Sequence, residues 1–161
     1  MMSLSNTKST MIPMVFQGKV MEDYYASFED SKLELWSNKK GFWNRLSIPT
    51  SGKSDYPKMK FHTKEGRFSA DTHKAIAETL VPFPKPKCFT DSEWEATPQV
   101  VKDHIKSLYF VNHIDHDKYN CHPSNLEWVT SKGNAKAYKE HKKKANNLVE
   151  LIHADLEAYF A

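Results

Sequence analysis

The apolar positions of this chain change period several times, and the changes mark its elements. Between residues 20 and 48, Leu33, Leu35, Phe42 and Leu46 alternate with polar neighbours, the two-residue period of strands with one buried face. Ser37-Asn38-Lys39-Lys40-Gly41 breaks the run with turn-forming residues, so the stretch predicts two or three short antiparallel strands. Residues 49–57 (PTSGKSDYP) read as a loop, and KMKFH at 58–62, then 66–69, resume the strand pattern. His73–Leu80 consists of good helix formers, with Asp71 or Thr72 placed to cap it. The three prolines of VPFPKPK forbid regular structure over 81–87 and make that run the best linker candidate. Thr90-Asp91-Ser92-Glu93 has capping-box spacing, but Pro98 argues against one continuous helix over 90–107.

Residues 108–130 predict a hairpin around a long polar loop: LYFVNHI, then DHDKYNCHPS, then NLEWVT. A helix follows from about 131 to 145, capped by Thr130 or Ser131. In the tail, Leu148, Leu151, Ile152, Leu156, Tyr159 and Phe160 form one helical stripe, which packs on the body of the protein or forms a dimer contact. The first fourteen residues lack the apolar core of a signal peptide and read as a frayed start. The expected organisation is α+β: a flexible start over 1–19, a basic strand and helix module over 20–87, a core over 88–145, and an amphipathic helix over 146–161.

Composition narrows the possibilities. The chain has 161 residues, 39% apolar and 27% charged, the profile of a folded protein. Two cysteines, Cys88 and Cys121, are too few for a disulfide framework or a four-thiolate zinc site and fit a reducing compartment. No apolar run approaches the roughly 20 residues that span a bilayer. The expectation is a cytoplasmic protein without membrane contact. Charge is uneven: residues 31–87 carry twelve Lys or Arg against five acids, 91–117 six acids against two lysines, and 132–144 six lysines against one Glu. Two basic regions around an acidic middle suit either a grip on a polyanion with a cation held between, or a solubilising surface.

The acidic middle contains the candidate chemistry. Cutting a phosphodiester by in-line attack needs a group to take the proton of water, and positive charge at the phosphate and leaving oxygen. A neutral histidine can be the base at physiological pH. One hard cation on oxygen ligands can supply the charge. A strand–loop–strand–helix unit can present both, with His113 at the end of its first strand and Asn134 in the first turn of its helix.

The run VNHIDHDKYNCHPSNLEWVTSKGN resembles the HNH, or ββα-metal (His-Me finger), nuclease motif, in the version found in phage-borne homing and free-standing endonucleases. His113, Asn125 and Asn134 fall on its three motif positions, twelve and nine residues apart. Thr72–Pro82 is similar to the helix that often precedes the motif, and Tyr25–Lys40 is weakly similar to the small N-terminal strand module of such enzymes. The resemblance implies a small antiparallel strand module followed by a ββα-metal core with C-terminal helices. It implies that His113 is the general base, and that Asn112 and Asn134 bind Mg2+ or Mn2+. Asn125 would hydrogen-bond across the loop and hold the His113 backbone, with Asp115 bracing the loop or His113. Trp128 and Val129 would be core beneath the hairpin. The implied reaction is single-metal hydrolysis of double-stranded DNA by a monomer or weak homodimer, in host bacterial cytoplasm if phage-encoded.

Two features depart from the usual pattern. The position of Asn112 is often Asp, and a neutral amide holds a hard cation less tightly than a carboxylate. Asp115-His116 is a second acid–imidazole pair that could serve as ligand and base, although the spacing to Asn125 and Asn134 favours His113. His113, His116, His122 and Cys121 could also form a zinc site, with irregular spacing. His73 is expected to pack against the hairpin. Lys132, Lys136, Lys139, Lys142 and Lys143 are the candidate backbone contacts, joined by Arg45 in the basic half, where Trp43 beside it could touch DNA. The alternative function is a ββα-fold DNA-binding or regulatory protein of little or no cutting power.

Overall fold

Four antiparallel strands, β1 (Ile12–Phe16), β2 (Lys19–Glu29), β3 (Lys32–Lys39) and β4 (Phe42–Leu46), form a meander in sequence order. The structure, a computed structural model, describes residues 11–29, 31–52 and 55–160, with the side chains of the last helix described to Leu151. Of the flexible start expected over 1–19, residues 1–10 lie outside the described residues, and residues 12–16 and 19 are in strands instead. Residues 12–16 are an edge strand, and Met14 is fully buried. Pro13 fits there because an edge strand can leave one amide position unpaired. β1 is also held from below by the following helix, whose Thr79 hydroxyl and Glu78 carboxylate accept the Val15, Gln17 and Gly18 amides at 3.0–3.1 Å.

The register pairs Tyr24 with Ser37 and Ala26 with Leu35, so the two-residue alternation puts Tyr24, Ala26 and Leu35 on the buried face. Ser37–Lys39 pair with Phe42–Asn44, which confines the turn to Lys40-Gly41. Both turn residues have positive φ, as a two-residue hairpin turn matching the strand twist requires.

A second hairpin, β5 (Lys58–Thr63) and β6 (Gly66–Asp71), leads directly into α1 (Thr72–Leu80). Fully buried Phe61 sits edge-on to Tyr24 at 4.9 Å, and the Tyr24 hydroxyl accepts the His62 amide at 2.8 Å. Burying a phenylalanine side chain of this size contributes roughly 3 kcal/mol. On α1, Ala75, Ile76 and Ala77 close the core. Asp71 occupies the cap position but makes no capping bond, because its carboxylate pairs with Lys58 and Lys74 instead.

The proline run after α1 has no regular structure, yet it is packed. Phe83 lies edge-on to Tyr109 at 4.9 Å and to Trp128 at 5.6 Å, and the Val81 carbonyl accepts the Trp128 indole N–H at 3.1 Å. Two short helices follow, α2 (Asp91–Ala96) and α3 (Gln99–Ser107). The capping box forms between Thr90 and Glu93, and Pro98 separates the helices. A hairpin of β7 (Tyr109–His113) and β8 (Leu126–Thr130) then runs into α4 (Ser131–Phe160).

Helix α4 is one helix of 30 residues and does not stop near 145. Residues 134–160 contain neither Gly nor Pro, so nothing in the backbone ends it. Packing of the tail stripe on the body is not seen among the described residues: Leu148 and Leu151 are 59% and 64% exposed. The side chains of Ile152, Leu156, Tyr159 and Phe160 lie outside the described residues. No described helix is long and apolar enough to cross a membrane.

Candidate active site

The β7–β8 ladder pairs His113 with Leu126, Asn112 with Glu127 and Val111 with Trp128. This places His113 at the last position of β7, buried, where the chain leaves the hairpin for the polar loop. Helix α4 begins immediately after β8, so its first turn returns beside that strand end. Its start is capped by the Thr130 hydroxyl, which accepts the Gly133 amide at 3.2 Å. Asn134 is thereby brought to the same place as His113. Asn112, His113 and Asn134 line one open cleft of about 480 Å³, together with Tyr56, His116, Lys118 and Tyr138.

The loop between the strands is tied by Asn125 and Asp115. The Asn125 carbonyl oxygen of the side chain accepts the Asp115 amide at 3.1 Å, while its nitrogen donates to Asp115 Oδ1 at 2.8 Å and to the Asn120 carbonyl at 2.9 Å. The backbone carbonyl of Asn125 also accepts the Ile114 amide at 2.9 Å, next to His113. Asp115 accepts further bonds from the Asp117 amide and from Asn120 Nδ2. Partial burial works against its ionisation, but the donors of Asn120, Asn125 and Asp117 outweigh that and hold the carboxyl below its ordinary value.

Both Asp115 oxygens are therefore engaged inside the loop, which makes it a brace. His116, in a left-handed turn (φ 62°), lines the cleft and packs against His141 of α4, the rings tilted by 35° with centroids 3.9 Å apart. His122 is directed elsewhere: Nε2 contacts the Ser31 carbonyl at 2.8 Å and Nδ1 the Ser124 hydroxyl at 2.6 Å, clasping the loop to the β2–β3 turn. Burial, and secondarily Asp117, pushes the Cys121 thiol up to about 11, so it is not a thiolate at neutral pH. These side chains do not assemble as a zinc site. Among the described residues no three of His, Cys, Asp and Glu gather as a metal cluster.

Two side-chain amides, those of Asn112 and Asn134, line the cleft with His113. Asn112 donates its side-chain nitrogen to Glu127 at 2.9 Å. Asn134 is exposed in the first turn of α4. Amide oxygens fit a small hard cation that keeps most of its waters, and do not fit a soft thiolate or imidazole metal.

Burial lowers the affinity of His113 for a proton, and the opposing pull of Asp115 and Asp117 does not restore it, so the ring is neutral at pH 7. His73, at the start of α1, lies 4.9 Å from His113 between centroids, and Tyr56 covers both rings. Burial, and then the neighbouring His113, push His73 down to about 4. An unfolded histidine takes its proton near pH 6.5. The unfolded chain therefore binds more protons between those two values, and stability falls as pH drops from about 6.5 towards 4. A melting-temperature series should be flat above that window and decline within it, with a shallower decline in His73→Phe; parallel curves would contradict this.

The expected nucleic-acid contacts are not among the residues that line the cleft. Arg45 pairs with Glu34 at 3.3 Å on the four-stranded sheet. Lys132, Lys136, Lys139, Lys142 and Lys143 are exposed along α4, with Lys136 3.8 Å from Glu140. The residues that sequence reasoning did not single out are Tyr56, Lys118 and Tyr138. Tyr56 comes from the loop after β4, which carries no periodic signal, and reaches the cleft only through tertiary folding.

Comparison with known proteins agrees with this placement. Residues 103–136, which contain β7, the loop, β8 and the first turn of α4, match a family model described as HNH endonuclease. No curated protein and no solved structure matches the chain. The β-β-α arrangement over the matched residues is consistent with a ββα-type core, and the match supports a nuclease-like function in general.

Proposed function

We propose that the chain is a metal-dependent endonuclease that hydrolyses phosphodiester bonds of double-stranded DNA. The observation that supports this most is the shared cleft: His113, buried, and the side-chain amides of Asn112 and Asn134 line one opening. His113 takes the proton of the attacking water. Asn112 and Asn134 would hold Mg2+ or Mn2+, which when bound supplies positive charge at the scissile phosphate and leaving oxygen. The Asn125–Asp115 knot keeps the base at its station. Lys118 at the cleft wall, paired with Asp55 at 3.3 Å, offers the phosphate a further cation. One cleft cuts one strand, so nicking is the expected product of a monomer.

The test is conversion of supercoiled to open-circular DNA. Mg2+ or Mn2+ should support it and a chelator should stop it. A chain that binds DNA but cuts it with none of several divalent metals would be the binding protein instead, a reading that the neutral Asn112 favours. DNA affinity should fall steeply with salt. Lys142→Ala and Lys143→Ala should each reduce the log–log salt slope by about one, since each phosphate contact releases about one counterion. A slope near zero in the wild type would remove the backbone-contact role of α4.

A further inference from the structure

Two buried imidazoles meet behind the cleft, and both have an unsatisfied nitrogen. His73 is 3% exposed and His113 6% exposed. His73 Nδ1 and His113 Nε2 are buried without a hydrogen-bond partner, on rings 4.9 Å apart between centroids and tilted by 50°. Tyr56 lies over the pair, 4.8 Å from His73 and 6.1 Å from His113. A buried polar atom without a partner destabilises the fold. Two of them side by side call for an explanation, because a phenylalanine at position 73 would fill a stacked site with no such cost.

A general base also needs something that its scaffold has not yet supplied. Its ring must be held in one tautomer, so that the lone pair is on the nitrogen facing the reaction; that is set by what the other nitrogen bonds to. The Asn125–Asp115 knot fixes the loop backbone and does not touch the His113 ring.

We propose that His73 is a positioning residue for His113, accepting the Nε2–H of His113 at its own Nδ1 through one bridging water, so that His113 keeps its lone pair on Nδ1 for the cleft. His73 is suited to this because burial keeps it neutral, with a free lone pair, well below neutral pH. Tyr56 closes the stack and limits rotation of both rings. The inference rests on His113 being the base of the proposed nuclease. It adds that the base is oriented from α1, an element outside the residues matched to the HNH family.

The test uses the full chain labelled with 15N-histidine, without DNA or metal, near pH 7.5. The ring nitrogen shifts of His113 report its tautomer. In the wild type His113 should be in one tautomer, protonated at Nε2. His73→Phe keeps the ring stack but removes the acceptor, and should give mixed tautomers. His73→Asn places an oxygen near the lost Nδ1 and should restore the single form. In nicking assays His73→Phe should lower kcat roughly tenfold to a hundredfold with KM unchanged, and His73→Asn should recover most of it. A wild-type His113 protonated at Nδ1 would overturn the proposal even if His73→Phe does not fold, as would a folded His73→Phe with an unchanged His113 spectrum. If the tautomer responds to His73 but the wild type cuts no DNA, the nuclease reading fails while the positioning stands. Cleavage with an unresponsive tautomer is the converse.

Discussion

Replacing His113 by alanine is expected to slow metal-dependent nicking of supercoiled DNA by roughly 100- to 10,000-fold, the range a positioned general base contributes. The mutation removes the imidazole from the cleft and leaves the amide oxygens of Asn112 and Asn134 in place. DNA binding should therefore change little in gel shifts while the single-turnover rate collapses. Equal nicking by wild type and His113→Ala would mean that the activity belongs to a contaminant or to another group. The pH profile sharpens the expectation. Burial holds His113 below its ordinary value, so the base remains deprotonated into mildly acidic solution. The rate should hold through the range where an exposed histidine protonates, near pH 6.5, and fall only at lower pH. An acid limb above that value would point to a different base.

Asn125→Ala should be the largest stability loss at the site. It removes one accepted and two donated hydrogen bonds of a side chain that is 9% exposed, one of them to the ionised Asp115. Neutral bonds of this kind contribute about 1 kcal/mol each and charge-assisted ones about twice that, so a loss of roughly 4 kcal/mol is expected. In a chain of this length that is a fall of about 8–16 °C in melting temperature. Activity should drop further than the folded fraction explains, because the loop that follows His113 loses its brace. Asn125→Asp should be no better, since it sets a second carboxylate against Asp115. Wild-type melting of either variant would show that the loop holds itself by other means.

Much of the fold was legible because local signals agree with one another. The alternation at Leu33 and Leu35, the capping box at Thr90, and Pro98 all appear in the structure where the sequence placed them, since each acts within a few residues. The hairpin and helix of the HNH-like segment were legible for the same reason, being one supersecondary unit with strong strand and cap signals. The errors came where long-range contacts decide. Residues 1–19 looked like a loose start, and pairing with β2 together with bonds to α1 makes Ile12–Phe16 a strand. The proline run looked like a linker, and Phe83 and Trp128 make it part of the packing. The tail looked like a separate element, and uninterrupted helix formers carry α4 through it.

The residues of the candidate site divide in the same way. His113, Asn112, Asn125 and Asn134 are within a short span, so their spacing along a strand, a loop and a first helical turn already brings them near one another. Tyr56 and His73 are far away in sequence, and they reach His113 only because α1 packs under the hairpin and the loop before β5 folds over it. Local periodicity and spacing determined which elements exist and which side chains share the motif. Only tertiary packing decided the environment of His113, because burial and ring contacts are set by neighbours that no local pattern in the chain specifies.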